Sequence, residues 1–530
     1  MTTDVRTYER NRFRLRAALA LVLLSGSTSI RLYAFQCPDG TPPPCARAAA
    51  RAAAGPGPTS VAVLYFDNVS RDSNDAYIAD GLTEELIARL GQIERLQVKS
   101  RTAVQRYRGR PIDDPTTLGR TLGVAHLVSG SIRRGNGRLR VTVELTRAST
   151  GVRVWGDTYE RGSDDLMAVE ADIAQEIASG VGGRLAPTEQ RVLVARPTTN
   201  PEAFDHFLRG NYLIAQRSAV AARRALAEYE TAVRLDPGFA KAFGRIGWAY
   251  GLFYDWSWPW PGLTPDSLLE RGIAAASMAL RIDSLSADAW MARAALLAYR
   301  FPTTFEGVDQ AFRRAVTLDP RNAEAWHLYA ATLTYASRDS ASAAAFQRAL
   351  ELEPERVISL ADLAWLRYFQ RRYPEAEVLA DSGVALDPQA DYLYAIRAQI
   401  ALVRGDTARF RADVTAAVRT RRPDYLLTSE HMVIAQETRD GDTTAARARL
   451  ERLVGGFRDR EHLSAYEGYS AALGFMAVGD RAGALTMLES IRPRGLIVGC
   501  YMRDPMFDPI RADPRFQRLW NESNPAGASP

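Results

Sequence analysis

Three short runs stand at a fixed interval in the second half of the chain: Leu318-Asp319-Pro320, Leu352-Glu353-Pro354 and Leu386-Asp387-Pro388, their prolines 34 residues apart. Proline has no N–H to donate and its ring clashes with the preceding turn, so each run marks a place where a helix stops. A stop at this interval leaves room for two helices of ordinary length, and a single pair cannot bury its apolar faces alone. This half of the chain is therefore restricted to a stack of helix pairs, each completing the core of its neighbour. Leu235-Asp236-Pro237 and Ile282-Asp283-Ser284 extend the register backwards at intervals of 47 and 36 residues, so extra residues enter those units.

In the unit after Pro320, Trp326, Tyr329, Ala330, Phe346, Ala349 and Pro354 take the large, small and helix-stopping places. Phe243, Ile246, Gly247 and Tyr250 do so after Pro237, and Leu360, Leu363, Ala364, Ala376, Ala380 and Pro388 after Pro354. Small residues let two helices cross closely, and aromatic ones fill the gap to the next pair. The pattern resembles the tetratricopeptide repeat. The resemblance implies an all-α superhelical solenoid over residues 201–424 whose groove binds a protein or peptide. Degenerate pairs would continue over residues 425–530, closed by a cap in which the run Phe507 to Phe516 resembles the family's terminal segment. Members that grip a carboxyl-terminal peptide carry Lys, Asn and Arg at fixed inner places. Here the analogous positions hold Met291, Ala295, His327, Ala331, Ala361 and Trp365. A carboxylate clamp is not expected, and His327 and Trp365 are candidate partner contacts.

The longest insertion falls near Phe253, Tyr254, Trp256, Trp258 and Trp260, in a loop that also holds Pro259 and Pro261. Tryptophan and tyrosine dominate binding hot spots, so these five are candidates for a recognition surface. The alternative is a loop that folds its rings onto the adjacent helices as core.

Residues 59–186 read differently. Val61–Phe66 is a short apolar run suited to a strand buried on both faces. A helical pattern follows over 75–90, then a strand at 96–98, a helix at 116–122, and strands at 125–132, 139–145 and 152–159, and finally a helix at 166–181. The order β-α-β-α-β-β-β-α predicts an α/β domain with a mixed sheet. Val61–Asn68, Tyr77–Leu86, Leu122-Gly123-Val124, Val128–Arg133 and Val154–Tyr159 together resemble the TolB amino-terminal-like (FlgO-like) domain of bacterial regulatory and envelope proteins. Family members frequently carry a kinase, cyclase or winged-helix output domain upstream, and residues 1–58 are too few to hold one. Asp67, Asn68 and Ser70 lie where the first strand ends, a usual ligand position in open α/β sheets. They form either a small-ligand loop or a helix-entry loop bonded to local backbone. Residues 187–200 read as a linker.

Residues 1–58 read as a basic leader and linker. An arginine-rich start runs into the apolar stretch from Ala17 to Leu24 and then small residues, the order of a secretory signal. Residues 13–30 could tether the chain to a membrane, although Arg16 and Arg31 interrupt a full span. The expectation is the cell envelope, by export or anchoring; the alternative is a basic amphipathic tail in the cytoplasm. Cys37 and Cys45 bracket a Pro/Gly turn and form either a disulfide or two unpaired thiols. The net charge of +5 is matched by the first 56 residues alone, which hold eight arginines against three acids. The rest is near neutral, so no nucleic-acid partner is expected.

No phosphate-cradling loop, zinc-binding His-Glu-x-x-His, Cys-x-x-Cys pair or kinase motif set occurs. His126, His206, His327, His431 and His462 are scattered along the chain. Each reads as a packed or surface histidine. The expectation is a protein with no catalytic residues, no metal and no cofactor.

Overall fold

The computed structural model describes residues 56–216, 218–256, 258, 260–300, 305–420, 430–457, 463–491 and 496–523. The leader, the apolar stretch, Cys37, Cys45 and His462 lie outside them.

The first part is built on a sheet in the order β3-β1-β4-β5-β6, with β2 paired to β4. Its strands are β1 (Ser60–Val63), β2 (Asp67–Asn68), β3 (Gln97–Val98), β4 (His126–Gly135), β5 (Arg138–Arg147) and β6 (Val152–Gly162). β1 runs parallel to β3 and β4, because helices cross between them, whereas β4, β5 and β6 form an antiparallel meander. Asn136 and Gly137 join β4 to β5 with φ of 52° and 71°. Left-handed residues of this kind make the two-residue turn that matches the twist of a hairpin. β5 alternates as its sequence does, with Leu139, Val141, Val143 and Leu145 buried. On that face lie α1 (Ala76–Gly91) and α4 (Leu166–Gly182). The short α2 (Arg101–Gln105) and α3 (Pro115–Leu122) cover the other face of β1 with Val104 and Leu122.

The segment 187–200, expected as a linker, carries a helix, α5 (Pro187–Val194). Its Leu193 is fully buried, and Arg89 of α1 donates to the Leu193 and Ala195 carbonyls. A short apolar run, Val192 to Val194, at the end of a polar octapeptide gave little sign of this docking.

The helical part pairs α6 (Pro201–Ile214) with α7 (Ala219–Leu235), α8 (Ala240–Asp255) with α9 (Pro265–Ile282), and α10 (Ala287–Tyr299) with α11 (Phe305–Leu318). It continues with α12 (Ala323–Tyr335) and α13 (Asp339–Leu352), α14 (Val357–Phe369) and α15 (Tyr373–Leu386), and α16 (Asp391–Arg404) and α17 (Thr407–Thr420). The last pairs are α18 (Glu430–Arg439) with α19 (Thr443–Gly455) and α20 (Ala465–Ala477) with α21 (Arg481–Glu489), followed by α22 (Leu496–Tyr501) and α23 (Pro514–Ser523). This is a tetratricopeptide-type array. In the first five pairs the second helix ends on the Leu or Ile of the repeated run. The Asp that follows turns the chain: Asp236, Asp283, Asp319 and Asp387 each accept from the N–H two residues on, at 2.8–3.1 Å. Asp suits this turn because its short side chain reaches its own backbone.

The two parts share one core, which runs unbroken from Val61 of the sheet to Leu268 of α9. Gly81 makes the contact close: a Cβ there would lie 2.9 Å from Leu208 of α6. Farther along, Arg321, in the turn before α12, donates to the carbonyls of Gly91, Ile93, Glu94 and Leu96, at 2.6–3.2 Å. The fourth pair of the array thus ties down the last carbonyl of α1, one that a helix end leaves orphaned, and the turn that follows it.

Candidate functional site

First helices of successive pairs pack on one another, α8 on α10, α10 on α12, α12 on α14 and α14 on α16, and so form one wall. On that wall Ala295 and Ala331 are half-buried beside Met291, Ala361, His327 and Trp365. The array is curved enough that α22 touches α10, α12 and α20, helices of the third, fourth and eighth pairs.

His327 is 5% exposed. Its Nδ1 lies 3.1 Å from Ser359 Oγ, and its Nε2 lies 3.7 Å from Asp362 Oδ2. Burial, reinforced by the Arg356 cation, holds its pKa down to about 3, so the ring is neutral and offers no cationic grip. Burial and the nearby Asp255 push Asp362 up to about 7. Trp365 is half-buried, edge-on to Tyr368 at 5.3 Å and stacked on Phe369 at 5.5 Å.

The aromatic loop folds inward. Phe253 and Trp258 are 1% and 4% exposed. Trp258 stands edge-on to Phe253 at 5.5 Å and to Trp256 at 4.8 Å, and Trp260 packs on Phe253 at 4.8 Å. Tyr254 lies 5.0 Å from Tyr299. These rings extend the core, which is the second of the two readings the sequence left open. Tyr254, Trp256 and Trp260 keep partial exposure.

Asn68 and Ser70 bond to backbone groups. Asn68 accepts from the Ser70 N–H at 3.0 Å and donates to the Asp72 carbonyl at 3.1 Å, while Ser70 accepts from the Arg134 N–H at 2.9 Å. Asp67 is exposed. Backbone bonds therefore occupy Asn68 and Ser70. The described histidines are dispersed: His206 pairs with Glu228 at 2.6 Å, His431 Nδ1 lies 3.1 Å from Ser470 Oγ, and His126 is buried in β4. Among the described residues no group of three His, Cys, Asp or Glu could hold a metal ion.

Sequence reading missed the polar cluster around Asp504, which has no solvent exposure. Its carboxylate accepts from Tyr368 at 2.8 Å, Tyr469 at 2.5 Å, Gln399 at 2.5 Å and the Met506 N–H at 2.8 Å. Beside it Arg503 donates through both terminal nitrogens to Asp339, at 2.9 and 2.7 Å, and Arg371 donates to Asp508 at 2.7 Å. The repeated Asp-Pro pairs at 504, 508 and 513 carried a signal. Asp504 and Asp513 both accept an N–H two residues on.

No family model matches the chain. Over 215 residues it is 32% identical to the "Putative adenylate cyclase 3" of Rhizobium meliloti (strain 1021), a stretch covering 41% of this chain and 36% of that protein. The chain thus spans about a third of the length of that curated relative. Among solved structures it is similar to Pseudomonas aeruginosa pilF, at 19% identity and a TM-score of 0.33, over 41% of this chain and 92% of that one. Yeast Tom70 is 16% identical, with a TM-score of 0.40 and coverage of 68% and 83%. A tetratricopeptide repeat protein from Parabacteroides merdae is 14% identical, with a TM-score of 0.37 and coverage of 52% and 99%.

Proposed function

We propose that the chain is a non-enzymatic binding protein whose array takes a protein or peptide partner on the wall formed by its first helices. The observation that supports this is the placement of Ala295, Ala331 and Trp365 on that wall. Small side chains there leave room for another backbone to approach, and an aromatic one offers an anchor. The α/β part, which resembles the TolB amino-terminal-like domain, serves as a second binding or sensory unit. We place the protein at the cell envelope, with residues 13–30 as leader or tether. No described helix is long and apolar enough to cross a membrane.

A photo-crosslinking amino acid at Ala331 or Trp365 of the full chain, in the producing cell, tests the wall. One adduct of constant mass is expected from both positions and none from exposed Val378 or Val418. Adducts from all four positions equally, or none, refute the proposal.

The alignment with a protein named as an adenylate cyclase favours a second reading. Here the chain is a cytoplasmic regulatory partner of a separate kinase or DNA-binding protein. Alkaline phosphatase fused after residue 60 is active for the envelope reading and silent for the cytoplasmic one. Cyclic AMP made by the purified chain from ATP and magnesium would overturn the non-enzymatic reading.

A further inference from the structure

We propose that residues 496–511 are a displaceable internal occupant of the wall, closing the middle pairs of the array until the segment leaves. The inference rests on reading that wall as the partner surface. It is drawn from an asymmetry in how the segment is held.

Toward the last pair the attachment is mainly apolar, with one polar bond, from the Tyr469 hydroxyl to Asp504. Met502, Phe507 and Ile510 join Phe516, Leu519 and Trp520 in a core with Tyr469 of α20 and Leu485 of α21, separate from that of the middle pairs. Toward the middle pairs it is carried by Cys500 and Tyr501, by Met506 against the cluster of α16–α18, and otherwise by polar bonds. These are the Arg503–Asp339 fork, the Arg371–Asp508 pair, and the Tyr368 and Gln399 bonds to Asp504. Water competes for polar groups as they separate, whereas apolar area opposes separation throughout. The seam toward the middle pairs is thus the one that opens, with the segment still anchored on α20 and α21. Local openings of this kind, well below the cost of global unfolding, are common where buried apolar contacts are few.

The partner that fits the vacated face shares the segment's chemistry. It presents a short helical stretch with a small residue and a ring, as Gly499, Cys500 and Tyr501 do, followed by an Arg-Asp pair placed for Asp339 and for Tyr368 with Gln399.

Cys500 is a built-in reporter, buried at 1% exposure with its thiol pushed up to about 12. In the full chain, with Cys37 and Cys45 replaced by Ser, maleimide labelling of Cys500 is followed against urea. The parent is expected to label with a much shallower urea dependence than global unfolding. Arg503→Glu should label at least about tenfold faster, and adding Asp339→Arg should bring the rate back toward the parent. Labelling of parent and Arg503→Glu with the full slope of global unfolding would make the segment fixed core and overturn the inference. So would an adduct from Ala331 that forms to an equal extent in the two proteins. Independent opening of Cys500 with no adduct in either protein keeps the displaceable segment and refutes the partner reading instead.

Discussion

Asp504 is a carboxylate without solvent, and burial pushes its pKa up to about 6 against the opposing bonds from Tyr469, Met506 and Tyr368. A folded-state pKa above the unfolded value of 3.8 means that the native state holds the proton more tightly. That contribution to stability is complete below the unfolded pKa and lost as pH rises through the folded one. Urea unfolding of the wild type and Asp504→Asn at pH 4 and pH 7 should show the wild type losing about 2 kcal/mol more than the variant between them. Equal losses would mean that Asp504 does not titrate in this range. Trp258 provides a second residue-scale test: Trp258→Ala should cost roughly 3–5 kcal/mol in chemical unfolding, as for other buried tryptophans, because its ring fills core. A loss below about 1 kcal/mol would place the ring at the surface. Five aromatics in a short proline-bearing loop look the same whether they face inward or outward. What decided the matter was Phe253, carried on α8 and buried, around which Trp258 and Trp260 gather.

At the scale of elements, helix crossings depend on residues that leave room. At Gly210 of α6 a Cβ would lie 2.4 Å from the ring of Tyr229, which is fully buried and bonded through its hydroxyl to Asn211 at 2.8 Å. Gly210→Ala gains about 1 kcal/mol of helix propensity, but the ring has nowhere to go, and overpacking costs about 1–3 kcal/mol. A net fall in thermal midpoint is expected, and a rise would show that α6 and α7 can separate. The helix pairs themselves were legible because proline stops, Asp turns and the 34-residue interval all specify the same boundaries. The meander was legible from its alternation and from Asn136-Gly137. By contrast α5 and α22 were hidden, since a helix of eight or six residues has too few turns to show a period. Their docking depends on distant partners such as Arg89 and α12.

For the whole molecule, the shared core and the ties at Arg321 and Lys241 make the α/β part and the array one body rather than two domains on a linker. Lys241 of α8 reaches Glu85 of α1 at 2.9 Å, and Glu85 is 6% exposed. Lys241→Met removes the bonded cation of that carboxylate, leaving Arg89 and Arg245 nearby, and should cost on the order of 2 kcal/mol, reduced from the full penalty of a buried pair because the lysine is partly solvated. Far-UV circular dichroism and tryptophan fluorescence should lose stability together; separate transitions would mean two independent units. This continuity was invisible in the sequence, because the residues that make it, Gly81, Leu208, Glu85 and Lys241, each satisfy the pattern of their own helix.

Hydrogen exchange of the full chain, alone and with the partner recovered by crosslinking, reads directly which segment occupies the wall. Amides of 496–511 should lose protection on binding while α10, α12 and α14 gain it. Protection gained only on the second helices of the pairs or on the outer strands β5 and β6, with 496–511 unchanged, would contradict that expectation.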